Sequence, residues 1–333
     1  MLYIEAESTD AAFHFAVEEY LLLHFQSDEP VMMIWRADKC AMLGCNQIAD
    51  AEIDLSAAAR LGVQVVRRSS GGGTIFIDMG TLLYTFIMSL PYNGLTDVKD
   101  IEREYVAGPV ARALNRMGIP ARIEGRNDIL VENRKISGLA QYIRRNRLCT
   151  HGSLLYDADL DTLAQVLKPD EEKIRSKSIR SVHSRVANLA QYMDVPLSTE
   201  KFRDRIKENL HKSLNFLEYN LTEVDIVQIG RILREKYANP DWTFGKAPRF
   251  SFHNYVRFPA GKVEVFLEVR DGIIDSCRIA GDFLGLEPIV ELEEHLESKA
   301  YKRHDIEEFL GRMELEPYLG GITREQLLSC LFA

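Results

Sequence analysis

The chain has 333 residues, of which 46% are hydrophobic and 27% are charged, and its formal net charge is −9. The length predicts two domains rather than one core, and the composition is typical of a globular protein. The acidic balance argues against a protein that coats nucleic acid, and the lack of a run of about 18 apolar residues predicts no membrane span.

The cysteines and the N-terminus indicate a cytoplasmic protein. The N-terminal segment contains acidic residues and no basic region before an apolar one, so we predict no secretion or organelle signal. The five cysteines are scattered and form no CxxC pair, which favours reduced thiols over disulfides or a zinc site. They are Cys40, Cys45, Cys149, Cys277 and Cys330.

The first 68 residues predict a helix followed by short strands. Asp10 is a good N-cap for the apolar segment AAFHFAVEEYLLLHF. VMMIWRA and CAMLGC read as strands, LSAAARLG reads as a short helix ended by Gly62, and VQVVRR reads as another strand.

Three consecutive glycines then interrupt the sheet pattern in the segment RRSSGGGTIFID, residues 67–78. Glycine weakens strands, so a triplet indicates either a flexible hairpin or backbone that lies against a ligand. GxxxxGK[ST] and GxGxxG are both absent, and a strand follows rather than a helix, which excludes the two common nucleotide loops. A phosphate here would need backbone N–H groups and a side chain such as Arg68. From this segment alone the two interpretations stay about even.

The middle of the chain predicts an α+β fold. TIFID and TLLYTFIMSL are strands, and a helix is expected from about Val98 to Met117. The next strands are joined by turns at Asn133-Arg134 and Arg145-Asn146, which are too short for parallel crossovers. We therefore expect a mixed or antiparallel sheet with flanking helices.

A second polar cluster lies in GRNDILVENRKISGLAQY, residues 125–142. Asn127 and Asp128 open one strand of a predicted hairpin, and Lys135 opens its partner. Asp128 could hold Mg²⁺, and Lys135 could neutralise an acid or a phosphate. A solvated lysine beside a turn is the alternative interpretation. His151, without a partner nucleophile in the sequence, reads more readily as a structural hydrogen-bonding group.

The last part of the chain predicts a domain boundary. Residues 169–188 are polar and read as a long functional loop. Helices are expected from Ser198 to about Leu214 and from Thr222 to about Tyr237, and turn residues follow near 245. We expect domains at 1–245 and 246–333, the second a small α+β unit with an Asp271-Gly272 hairpin.

Four ordered motifs give a resemblance to a known family. RRSSGGGTIFID, GRNDILVENRKISGLAQY, HGSLLY and KSIRSVHSRVANL occur in the order and with the spacing of the lipoate–protein ligases, and AGKVEVFLEV resembles their C-terminal accessory domain. The resemblance covers nearly the whole chain. It implies the biotin and lipoyl ligase fold, with a mostly antiparallel sheet. It also implies a two-step reaction, in which lipoate and ATP form lipoyl-adenylate and the lipoyl group then passes to a lysine of a lipoyl-carrier domain.

The resemblance also implies roles for individual residues. Asn127, Asp128 and Lys135 match the adenylation site, and Lys135 matches the family's essential lysine. His151 and the loop Lys177–Asn188 match parts that line or close the pocket. The residues that match substrate and ATP positions are Arg68, Ser70, Gly71, Gly72, Gly73, Thr74, Ile75, Phe76, Asn127, Asp128, Lys135, Gly138, Ala140 and His151.

The implied partners are lipoyl-carrier domains, namely acyltransferase subunits of 2-oxoacid dehydrogenases and the glycine cleavage H protein. Neither nucleic acid nor a membrane is expected as a partner, and a monomer is the expected state. ATP, Mg²⁺ and lipoate are the implied ligands.

Two departures and three alternatives accompany this interpretation. Ile77 stands where the family often has histidine, and Leu139 stands where it often has a small residue. An octanoyl or lipoyl transferase of the same fold would use a cysteine without ATP, and Cys149 is the candidate. A non-catalytic acyl- or adenylate-binding module is a further alternative. A biotin ligase is disfavoured, because its GRGR signature is absent.

Overall fold

The structure is a computed structural model that describes residues 1–125, 128–168, 186–245 and 250–332. The predicted loop at 169–188 lies outside the described residues except for its last three positions. Within the described part of the chain, we find no helix that is both long enough and apolar enough to cross a membrane.

An eight-stranded mixed sheet forms the centre of the fold. The strand order is β11-β1-β2-β6-β10-β9-β8-β7. The pairs β11–β1 and β1–β2 are parallel, and the other pairs are antiparallel, which agrees with the predicted sheet. The strands are β1 (Leu2–Ile4), β2 (Val31–Trp35), β6 (Thr81–Ser89), β7 (Arg122–Glu124), β8 (Asp128–Val131), β9 (Arg134–Arg144), β10 (Arg147–Leu155) and β11 (Leu217–Tyr219).

A second sheet of three strands presents the glycine triplet. Its order is β4-β3-β5, with β3 parallel to β4 and antiparallel to β5. Its strands are β3 (Cys40–Leu43), β4 (Gln64–Arg67) and β5 (Ile75–Ile77). Residues 68–74, which join β4 to β5, are called the glycine loop below.

Helices cover both faces of the large sheet. Asp10 caps α1 as predicted, since its carboxylate accepts a hydrogen bond from the Ala12 N–H at 2.9 Å. The helices of this part are α1 (Ala11–Leu23), α2 (Ala49–Glu52), α3 (Leu55–Arg60), α4 (Val98–Glu102), α5 (Gly108–Arg116), α6 (Leu160–Val166), α7 (Thr199–Leu214), α8 (Glu223–Ile232) and α9 (Pro240–Phe244), with a 3₁₀ turn at Leu189–Tyr192. A π-helical turn at Arg103–Ala107 interrupts the helix predicted from about Val98 to Met117, and another at Leu233–Tyr237 forms the end of the helix predicted from Thr222 to about Tyr237.

The predicted hairpins are confirmed with one shift. The β9–β10 turn lies at Arg145-Asn146, as predicted. The β8–β9 turn lies at Glu132-Asn133, one residue before the predicted position. Both residues of each turn have positive φ, between 48° and 65°, which is the conformation of a tight two-residue hairpin.

The C-terminal part of the chain has a core of its own. Strands β12 (Phe252–Phe258), β13 (Gly261–Arg270) and β14 (Ile273–Gly281) form an antiparallel sheet, and Asp271-Gly272 makes the predicted turn. Four helices of the described residues pack against it: α10 (Ile289–Leu296), α11 (Arg303–Leu310), α12 (Glu316–Leu319) and α13 (Arg324–Leu331). We call Phe252–Leu331 the C-terminal unit.

A buried arginine fastens α9 to the small sheet. The Arg67 guanidinium donates to the carbonyl oxygens of Trp242 and Thr243, at 2.9 and 2.6 Å, and to the carbonyl oxygen of Gln47 at 2.6 Å. The Trp242 indole N–H donates back to the Arg67 carbonyl at 2.9 Å. Burial lowers the pKa of Arg67 to about 10, so the guanidinium remains charged at neutral pH.

We predict that Arg67→Ala lowers the free energy of unfolding by about 3 kcal/mol, because several buried carbonyl groups lose a charged donor. Urea or thermal unfolding measures the change. Arg60→Ala is the control, since Arg60 is exposed, and should change stability by less than about 0.5 kcal/mol. A loss below about 1 kcal/mol for Arg67→Ala would show that the guanidinium does not anchor α9.

Candidate active site

A cavity of about 110 Å³ lies between the glycine loop, α1 and strands β9 and β10. Most of its surface is apolar, and its polar groups come from a few side chains. It is lined by Phe15, Trp35, Met42, Arg68, Gly72, Gly73, Ile75, Leu83, Lys135, Gly138, Leu139, Ala140, His151, Gly152, Ser153 and Leu284. This mixture is typical of a site for a mainly apolar ligand with one charged end.

Two cationic residues, Arg68 and Lys135, line the cavity, and Lys135 is the more exposed of the two. Its Nζ lies 2.7 Å from Oδ1 of Asp128, and both side chains are more than one-third exposed. The main chain of Lys135 also pairs with the segment after residue 185, since the Ala187 N–H donates to the Lys135 carbonyl at 3.0 Å. The structure therefore brings together two of the predicted site residues, Lys135 and Asp128.

Gly138 provides the space for the lysine side chain. Asp128 and Gly138 are register partners in β8 and β9. A Cβ atom at Gly138 would stand 2.6 Å from Nζ of Lys135 and 2.7 Å from its Cε, closer than non-bonded atoms approach. The glycine of the ISGLA motif thus leaves room for the lysine to fold back over the strand, and a larger residue would require the flexible lysine side chain to move.

The three glycines of the loop have different surroundings. A Cβ at Gly71 would stand 2.7 Å from the carbonyl oxygen of Phe283. Gly72 has φ +91° and donates its N–H to that same oxygen at 3.3 Å. Nothing lies within 4 Å of a Cβ at Gly73, so its side faces open space in the cavity. The loop is therefore packed against the C-terminal unit on one side and open to a ligand on the other.

Arg68 holds the glycine loop from within the protein. Its guanidinium donates to the carbonyl oxygens of Met42, Gly71 and Gly73 at 2.8–3.0 Å and to Oγ of Ser70 at 3.1 Å. Only 5% of the residue is exposed, and burial lowers its pKa to about 10. In this structure most of its N–H groups bind the loop itself, while its side chain also lines the cavity.

A buried polar network lies at the inner end of the cavity. His151 Nε2 is 2.6 Å from Ser70 Oγ, and His151 Nδ1 is 3.0 Å from a carboxylate oxygen of Glu18. Glu18 also accepts from the Thr85 hydroxyl at 2.6 Å, which in turn accepts from the Trp35 indole N–H at 3.2 Å. His151 thus lines the cavity, whereas Ser70, within the glycine loop, has no exposed surface.

Successive side chains of strand β5 point to opposite faces, so the predicted residues Ile75 and Phe76 have different surroundings. Ile75 faces the cavity, and the Thr74 hydroxyl donates to Gln47 Oε1 at 2.8 Å. Phe76 points to the opposite face and is buried in a different core cluster, with Ala41 and Val63. Gly138 and Ala140 both line the cavity.

Of the two departures from the family pattern, Ile77 does not line the cavity, whereas Leu139 does. Ile77 is fully buried in the core cluster that includes α1. Leu139 is 3% exposed, and its side chain belongs to the core cluster on the other face of the sheet. Each apolar side chain is accommodated by packing.

Some predicted residues cannot be placed, and others were not predicted. Asn127 and the loop positions 177–185 lie outside the described residues. Glu18, Trp35 and Leu284 belong to the site although the sequence analysis did not select them. Glu18 is an acidic residue on the apolar face of α1, and this pattern in the sequence indicates a buried carboxylate that needs a polar partner. Leu284 gives no such signal.

Cys149 is not arranged as a nucleophile. It is fully buried and is not among the residues that line the cavity. Burial raises the pKa of its thiol well above the usual range, and the carboxylate of Glu18 raises it further. The thiolate, which is the reactive form, is therefore strongly disfavoured.

Comparison with known families identifies both parts of the chain. Residues 10–211 match the family model described as the lipoyl protein ligase A/B catalytic domain. Residues 247–331 match the model described as the bacterial lipoate protein ligase C-terminus.

Curated relatives match over their full length. The chain is 35% identical over 336 residues to the lipoate-protein ligase LplJ of Bacillus subtilis, covering 100% of both chains. It is 32% identical over 323 residues to lipoate–protein ligase 1 of Staphylococcus aureus, covering 97% of both.

Solved structures of the same fold are similar as well. A lipoate-protein ligase A bound with ATP has a TM-score of 0.62 at 25% identity, covering 73% of this chain and 98% of the other. A bipartite lipoate protein ligase of Thermoplasma acidophilum, solved in a study with its E2 lipoyl domain, has a TM-score of 0.65 at 27% identity, covering 75% and 98%. LipL1 of P. falciparum, with a TM-score of 0.76 at 22% identity over 99% and 97% of the chains, shares the fold.

We predict that Cys149 resists alkylation in the folded protein, because its thiol is buried and its pKa is raised. Native protein is treated with iodoacetamide at pH 7.5, and modification at each cysteine is followed by mass spectrometry. The same protein unfolded in urea is the comparison, because its cysteines are then accessible. Modification of Cys149 in the native protein as fast as in the unfolded protein would show an accessible thiol and would reopen the cysteine-dependent alternative.

Proposed function

The chain belongs to the lipoate–protein ligase family, and we propose that it performs that family's two-step reaction with Lys135 as the central residue. In the first step lipoate and ATP form lipoyl-adenylate and pyrophosphate. In the second step the lipoyl group passes to a lysine of a carrier domain, and AMP is released. The observation that carries the proposal is the Lys135–Asp128 pair, which lies at an apolar cavity beside the open side of Gly73.

The cavity suits an acyl chain in one orientation. Its charged end is at Lys135 and Gly138, whereas Phe15, Trp35 and Ile75 supply apolar surface. We therefore propose that the lipoate carboxylate lies near Lys135 and that the hydrocarbon chain runs along Gly72 and Gly73. At Gly73, where nothing lies within 4 Å of a Cβ position, the missing side chain lets the acyl chain approach the loop closely.

Lys135 provides electrostatic stabilisation for the first step. A carboxylate oxygen attacks the α-phosphorus of ATP, and the bond from that phosphorus to the bridging oxygen breaks, with the electron pair leaving on pyrophosphate. Two anionic groups must meet, so a fixed cation lowers the barrier. Since the amine of Lys135 stands over Gly138, it can contact the carboxylate and the phosphate together.

Asp128 fits a role in holding Mg²⁺. Its carboxylate is a hard oxygen donor beside the proposed phosphate position, and Mg²⁺ is commonly held by one or two carboxylates together with substrate phosphates. Bound there, the ion would screen the phosphate charge. Asn127, a predicted substrate- or ATP-binding residue, lies outside the described residues.

The second step needs no protein nucleophile. The carrier amine attacks the acyl carbonyl carbon, the bond from that carbon to the phosphate oxygen breaks, and the amine nitrogen loses a proton as the amide forms. The buried state of Cys149 supports this route over the cysteine-dependent transferase. Retention of Lys135, Asp128 and the open glycine loop argues against a non-catalytic binding module.

We also propose the partners and organisation that follow from family membership. Lipoyl-carrier domains are the acceptors, a proposal supported by the structural neighbour studied with an E2 lipoyl domain. A monomer suffices, since one chain supplies Lys135, the glycine loop and Leu284. The domain division at 245 and 246 is supported by family matches that end at 211 and resume at 247.

We predict that Lys135→Ala reduces lipoyl-adenylate formation at least about 100-fold, because the cation that stabilises the transition state is lost. Pyrophosphate release with lipoate, ATP and Mg²⁺ measures this step, and mass gain on a purified carrier domain measures the second. Lys212→Ala, at an exposed position of α7, is the matched control and should change the rate by no more than about twofold. Undiminished pyrophosphate release by the Lys135→Ala variant would show that another residue acts. If the wild-type enzyme adds mass to the carrier domain only when an acylated donor protein is supplied, and not with lipoate and ATP, the protein is a transferase.

A further inference from the structure

Two cavities meet at the proposed acyl site. The first is the cavity of about 110 Å³ described above. The second is a cleft of about 1100 Å³ between α4, strand β9 and the C-terminal unit. Three residues line both: Leu139, Ala140 and Leu284. These residues form the boundary between a small apolar pocket and a large, partly charged cleft.

Of the three, Leu284 is the one whose side chain can act as a partition. The Leu139 side chain is buried in the core on the other face of the sheet, and Ala140 ends at its Cβ. The Leu284 side chain points toward the glycine loop, with Cδ2 3.1 Å from the position of a Cβ at Gly72. A methyl group of Leu284 therefore packs beside Gly72, where Nη2 of Arg68 also lies 3.1 Å from the same Cβ position.

The backbone around Leu284 is fixed at both ends. The preceding residue, Phe283, is fully buried in the core of the C-terminal unit, and its carbonyl accepts from the Gly72 N–H at 3.3 Å. Two residues later, the Leu286 carbonyl accepts from the Ile143 N–H at 3.0 Å. In addition, the Gly281 N–H donates to the Asn46 carbonyl at 3.0 Å. These contacts hold the segment 281–286 against the glycine loop and the edge of β9.

We infer that Leu284 is a positioning and specificity residue that closes the acyl pocket toward the cleft and keeps water from the acyl-adenylate. The inference rests on the proposed function. The reaction that it suppresses is hydrolysis: water attacks the acyl carbonyl carbon, the bond to the phosphate oxygen breaks with its electron pair on AMP, and the water loses a proton. The products are lipoate and AMP, so ATP is consumed without acylation of a carrier.

The test compares AMP released with lipoyl groups transferred. We expect Leu284→Ala to raise the ratio of AMP to lipoylated carrier at least about threefold over wild type, because water then reaches the pocket from the cleft. The KM for lipoate should rise about tenfold, because the acyl chain loses apolar contact. The melting temperature, measured in parallel, identifies a variant that has failed to fold.

Two further variants distinguish an effect of the Leu284 side chain from an effect of how the C-terminal unit docks against the glycine loop. Leu284→Met keeps the volume and should retain the wild-type ratio within about twofold. Leu286→Ala truncates a residue that lines the cleft but not the acyl pocket, and it should also leave the ratio unchanged.

Two outcomes would overturn the inference. One is a wild-type ratio and KM in Leu284→Ala. The other is an equal rise in Leu286→Ala, which would assign the shielding to docking rather than to Leu284. If the wild-type chain forms no lipoyl-adenylate at all, the proposed function fails first, and that result is seen in pyrophosphate release before any variant is compared.

Discussion

The rest of the site depends on the hydrogen bonds that the buried Arg68 guanidinium donates to the glycine loop. A loop of three glycines has little conformational preference of its own, and its carbonyl groups would be costly to bury without donors. Arg68 supplies those donors to Gly71 and Gly73 and ties them to Met42 in the adjacent strand. One charged side chain thereby fixes a backbone that offers a ligand a surface free of Cβ atoms.

This contact continues into a chain of hydrogen bonds around the cavity. Ser70 accepts from Arg68 and also contacts His151, which pairs with Glu18. Polar groups at the closed end of an apolar pocket are therefore satisfied within the protein, as buried polar groups generally are. At the other end Lys135 and Asp128 are partly exposed and can exchange their mutual contact for contacts with substrates. The site thus has a rigid inner end and a charged end able to rearrange.

The sequence predicts the fold and the charged groups well because they depend on local patterns. Hairpin turns, the Asp10 cap and the strand order near β9 follow from periodicity and turn residues. Side-chain direction is harder to predict, as Phe76 shows: alternation along β5 turns it away from the cavity that Ile75 faces. Arg68 also differs from its predicted role. The sequence suggests a side chain that binds a phosphate, whereas in the structure most of its N–H groups bind the glycine loop. The contribution of Leu284 could not be predicted, because it depends on packing between segments more than 200 residues apart.

The most direct measurement is a crystal structure of the chain with a non-hydrolysable lipoyl-adenylate analogue. The account predicts the acyl chain along Gly72 and Gly73, with its tail toward Trp35 and His151. It also places the phosphate mimic within hydrogen-bonding distance of Lys135 Nζ. An analogue whose phosphate mimic binds in the large cleft, away from Lys135, would contradict the account.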